Sequence, residues 1–113
     1  MFFDAADYLR LRDRIAAAGC ETPIIAGVMP VTTMNTIGRS EQLSGAPFPA
    51  HLLAQFERIA DDPKGVRALG IEQAVALTQR LLDEGAPGLH FITMNFSKAP
   101  REVLAGVSLP ARV

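Results

Sequence analysis

Gly19-Cys20-Glu21-Thr22-Pro23-Ile24-Ile25-Ala26-Gly27-Val28-Met29 is the stretch that decides how this chain folds. It opens on a glycine suited to the positive φ that ends a helix. It passes through a short loop to Pro23 and then runs apolar at every position from Ile24 to Val28. Alternation would mark a strand with one wet face, whereas a continuous apolar run reads as a strand covered on both faces. Five residues cannot exclude a buried helical turn by periodicity alone, so the neighbours must arbitrate. Upstream, Asp4 with Asp7 three residues later sets a helix start near Ala5. Tyr8, Leu11, Ile15 and Ala18 then fall on one helical face, with Arg10, Asp13 and Arg14 opposite. Before that helix, Met1-Phe2-Phe3 reads as the closing end of another buried strand.

The same order returns later. Asp62-Pro63 pairs an N-cap with a proline at the first helical position. Ile71, Ala74, Val75, Thr78, Leu81 and Leu82 form the expected buried stripe of a long helix, and Gly85 closes it. A strand from Leu89 to Thr93 follows, then Met94-Asn95-Phe96 and a final helix capped by Ser97. Between the two strands lie a short polar helix from about Met34 to Leu43, ended by Ser44-Gly45, and a helical segment from Ala50 to Ala60. Repeated strand–helix units point to a (β/α)8 barrel or a doubly wound sheet. In either, chemistry sits where strands hand over to helices: Phe3-Asp4, Met29 to Thr33, and Met94 to Ser97.

Three parallel strands with bare edges make a poor free-standing domain. The expectation is therefore that residues 1–113 form one partial unit, with no second domain, taken from the end of a larger closed α/β structure. Alone, it should aggregate or behave as a molten state. The net charge of −1 leaves no basic footprint, which argues against nucleic acid as a partner. A single cysteine excludes an internal disulfide and fits a reducing compartment. The longest uncharged stretch, Thr22 to Gly38, contains two prolines and is no membrane span. With no secretory signal in view, a soluble cytoplasmic protein is expected.

No glycine-rich phosphate loop and no metal-ligand spacing is present. His90, mid-strand, reads as a core or helix-facing histidine, and His51 as a surface residue. Cys20 falls in a helix-to-strand loop, the end of a barrel that serves stability. Glu57, Asp61, Asp62 and Glu72 lie on helices or at their starts, where capping and solvation account for them. No complete catalytic constellation emerges from the residues. Thr93 and Asn95 put a hydroxyl and an amide at a strand's C-terminal end, a common place for ligand contacts. The alternative is that Asn95 tolerates a turn and Thr93 serves β-structure.

Three segments together resemble a known family. Phe2-Phe3-Asp4, with Tyr8-Leu9-Arg10 and Arg12-Asp13-Arg14, is similar to the "FFD…YLxFRDR" unit of methylenetetrahydrofolate reductase. Ile24 to Val31 is similar to its "IIPGILPV", and Gly88 to Asn95 to its "xxHFYTLN". The motifs fall in the family's order and cover nearly the whole chain. The resemblance implies the C-terminal portion, about three βα units, of a (β/α)8 TIM barrel. It implies an FAD-dependent flavoprotein that reduces 5,10-methylenetetrahydrofolate to 5-methyltetrahydrofolate with NAD(P)H, in one-carbon metabolism and methionine biosynthesis, and a homo-oligomer when complete.

The resemblance also places the catalytic glutamate and most FAD contacts in the barrel's N-terminal half, and a folate-binding glutamine just before Met1. No catalytic or cofactor-binding residue is then expected within 1–113, and the chain alone should be inactive. Thr93 and Asn95 remain as the substrate-binding candidates. Three positions depart from the pattern: Thr36 stands for a folate-binding glutamine, Ser40 for a stacking aromatic, and Phe96 for an arginine. Phe96 offers a stacking face in place of the charge. Two rivals are a half-barrel interaction module, completed by self-association or an N-terminal partner, and another barrel enzyme such as a pterin-dependent methyltransferase. The latter would need its own ligand residues, and none is visible.

Overall fold

The computed structural model describes residues 1–45, 47–94 and 96–108. The elements are α1 (Ala5–Ala17), β1 (Ala26–Val28), α2 (Met34–Ser44), α3 (Ala50–Glu57), α4 (Pro63–Asp83), β2 (Leu89–Phe91) and α5 (Lys98–Gly106). The two strands pair in parallel, with Ala26 opposite Leu89, Gly27 opposite His90 and Val28 opposite Phe91.

The repeat read from the sequence is built atom for atom. Gly19 and Gly85 both sit at φ +85°. After α1, Gly19 N–H donates to the Ala16 carbonyl and Cys20 N–H to that of Ile15. After α4, Gly85 N–H donates to Leu82 and Ala86 N–H to Leu81. This paired closure satisfies two orphan carbonyls and reverses the chain into the following strand at both places.

Both strands are shorter than the apolar runs suggested. Ile24 and Ile25 lie outside the ladder, with Ile25 57% exposed, and Thr93 lies beyond β2. The N-terminal segment is not a third strand among the described residues. It touches the sheet through one backbone bond, Phe2 N–H to the Gly27 carbonyl at 2.8 Å. Extended backbone nevertheless sends successive side chains to opposite sides. Phe2 packs edge-on to Tyr8 at 5.6 Å between ring centres, and Phe3 stacks obliquely on Phe48 at 4.7 Å.

These two phenylalanines mark two cores. One gathers Ala5, Tyr8, Ala26, Val28, Leu77 and Leu81; the other gathers Val31, Ile37, Phe48, Leu52, Phe56 and Val66. Tyr8 reaches across the first to donate its hydroxyl to the Ile24 carbonyl at 2.8 Å. The α1 face is narrower than its periodicity implied: Tyr8 is buried, but Leu11 and Ala18 are exposed. On α4 the buried stripe is Val66, Gly70, Ala74, Leu77, Thr78 and Leu81, while Ile71, Val75 and Leu82 are half-buried. The shift arises because α4 packs against α1 and β1 on one side and α5 on another, so no single narrow stripe suffices.

His90 also departs from expectation. Leu89 and Phe91 turn toward the first core, so the alternation of β2 sends His90 to the other face, where it is exposed.

Candidate functional site

Two loops leave the C-terminal ends of adjacent parallel strands and so must lie side by side. The first, Met29 to Thr33, carries Met29, Pro30 and Val31 buried against the body before Thr33 opens α2. Thr33 N–H donates to the Thr36 hydroxyl at 3.3 Å, which fixes the first turn of that helix. The second loop begins as Ile92 N–H donates to the Val28 carbonyl at 2.8 Å, the last tie to the sheet. Met94 then turns at φ +50°, and Phe96 N–H closes back on the Thr93 carbonyl at 2.9 Å. Ser97 leads into α5.

The loops and the first turns of α2 and α5 enclose a cleft of about 990 Å³. Met29, Pro30, Ile92, Ala99 and Pro100 give it apolar surface. Thr32, Thr33, Asn35, Thr36, Thr93 and Ser97 supply hydroxyls and an amide. Phe96 is the single aromatic of the described lining, 75% exposed. Arg39, Arg67 and Lys98 bring three cations. Arg67 is held by Glu102 of α5 at 2.6 Å, bracing α4 against α5. No carboxylate, imidazole or thiol lines the cleft among the described residues. Its described lining thus combines an apolar wall with hydroxyls, an amide and three cations.

Of the three strand ends singled out from sequence, two meet here and one does not. Phe3 lies in the second core and Asp4 caps α1, its carboxylate accepting from Ala6 N–H at 2.9 Å. Thr93 lines the cleft; Asn95 lies outside the described residues. Thr36 lines the cleft as well, although its hydroxyl serves the α2 cap. Ser40 does not reach it: one turn further on, it is buried and donates to the Ile37 carbonyl at 2.7 Å. Arg39, beside it in sequence, takes the cleft-facing place. Arg39, Arg67 and Lys98 were not singled out in the sequence, because isolated cations on helices read as solvated faces.

The remaining candidates are elsewhere. His51, Glu57, Asp61, Asp62 and Glu72 are exposed and outside the cleft lining. Cys20 is exposed in the α1–β1 loop, outside that lining, where hydrogen bonding with the side chain and backbone of Thr22 holds its thiol below its ordinary pKa. Among the described residues no cluster of three or more metal-ligating side chains occurs, and no helix is long and apolar enough to cross a membrane.

The family model described as methylenetetrahydrofolate reductase matches residues 1–108. Methylenetetrahydrofolate reductase 2 of Saccharomyces cerevisiae is 36% identical over 110 residues, which is 96% of this chain and 18% of the relative. Methylenetetrahydrofolate reductase 1 of Schizosaccharomyces pombe is 33% identical over 109 residues, again 96% of this chain and 18% of the relative. For the 5,10-methylenetetrahydrofolate reductase of Escherichia coli the figures are 32% over 94 residues, 83% of this chain and 32% of the relative. The chain thus spans between about a fifth and a third of the length of these curated relatives.

Proposed function

The chain belongs to the methylenetetrahydrofolate reductase family, and from that premise we propose that it supplies the C-terminal portion, about three βα units, of a (β/α)8 barrel. That barrel reduces 5,10-methylenetetrahydrofolate to 5-methyltetrahydrofolate. The observation that carries this reading is the cleft at the C-terminal ends of β1 and β2, the end of such barrels where ligands bind.

FAD, when bound, would supply the hydride chemistry, and NAD(P)H the reducing equivalents. The residues of this chain do not fit the flavin. The cleft has the volume of one ligand site, and no described glycine lines it to let backbone amides approach a diphosphate. The chain's own part is to bind and orient the folate: hydroxyls along the cleft engage the polar edge of the pterin, and the apolar surface excludes water around it. Thr93 and Asn95 are the substrate contacts we assign. The complete protein would act as a homo-oligomer.

The test is formation of 5-methyltetrahydrofolate from 5,10-methylenetetrahydrofolate, FAD and NADH or NADPH. The native-length protein turns over, whereas residues 1–113 alone do not. Absence of product with the native-length protein refutes the activity. Turnover by residues 1–113 alone refutes the assignment to part of a barrel.

A further inference from the structure

We draw no further inference here: the strongest candidate, the hollow between α1 and the α1–β1 loop where Cys20 lies beside Arg12 and Glu21, rests on a single exposed thiol, with no second observation in the structure that points to a ligand.

Discussion

Replacing Gly70 by alanine sets two opposing effects against each other inside α4. Alanine is the better helix former by about 1 kcal/mol, so an exposed glycine in the middle of a helix gains from the change. Gly70 is buried against the β1–α2 loop, however. A Cβ there would meet the Val31 carbonyl, with the carbonyl carbon at 2.7 Å, Cα at 3.3 Å and the oxygen closer still. Bringing the carbon alone to an ordinary 3.4 Å contact requires about 0.7 Å of separation, and the oxygen demands more. These are backbone atoms of a fully buried residue, so no side chain can swing aside. Overpacking typically costs about 1–3 kcal/mol, and a rigid backbone neighbour puts Gly70 at the upper end. After the propensity gain the net loss is about 2 kcal/mol.

Gly38 is the internal control. It lies in α2 with nothing within 4 Å of the added carbon, so Gly38→Ala should stabilise by up to about 1 kcal/mol. Equilibrium urea unfolding of the native-length protein reads both. With a slope of about 2 kcal/mol per molar, Gly70→Ala lowers the midpoint by about 1 M and Gly38→Ala raises it slightly. If both midpoints rise, α4 does not press on the loop that forms one wall of the cleft, and the packing argument fails.

Tyr8→Phe keeps the ring but leaves the Ile24 carbonyl without its 2.8 Å donor; a loss of about 1 kcal/mol in the same urea assay is expected, and no loss would mean that the bond does not hold the entry to β1. Phe96→Ala should weaken folate binding by about two- to tenfold while Phe96→Tyr retains it; if Phe96→Ala binds as the wild type does, the exposed ring is no stacking face. The Thr22 hydrogen bonds lower the Cys20 thiol pKa, so the thiolate fraction at a given pH is greater in the folded chain than in the unfolded one. Alkylation of Cys20 should rise with pH at a lower midpoint in the folded protein than in urea, and Thr22→Val should move that midpoint upward. An unchanged midpoint removes Thr22 as the cause.

The two helix-to-strand turns were legible because their physics is local. A glycine at Gly19 or Gly85 permits the positive φ, and the hydrogen bonds that close each helix span only a few residues. Asp4 before α1, Pro63 at the start of α4 and Gly45 after α2 acted in the same way. Strand lengths were less legible. A ladder exists only where strands pair, and here it runs from Ala26 to Val28 against Leu89 to Phe91, so Ile24, Ile25 and Thr93 fall outside it whatever their β-propensity. His90 failed for a related reason: a polar residue between two apolar ones shows that the strand alternates, but not which face is covered.

By itself, then, the sequence determined the order of elements, the turns that join them, and the family. The tertiary structure decided which strand ends share a cleft and which side chains reach it. Phe3-Asp4 went to a core and a cap, while the loops after β1 and β2 came together because their strands are hydrogen-bonded neighbours. Arg39 and Lys98 are remote in the chain, and each alone is an ordinary solvated cation. Their convergence depends on the parallel pairing of β1 with β2 and on the direction in which α2 and α5 leave those strands. Local rules written in the sequence cannot carry that information, because the interaction between two charges depends on a distance that only the folded chain sets.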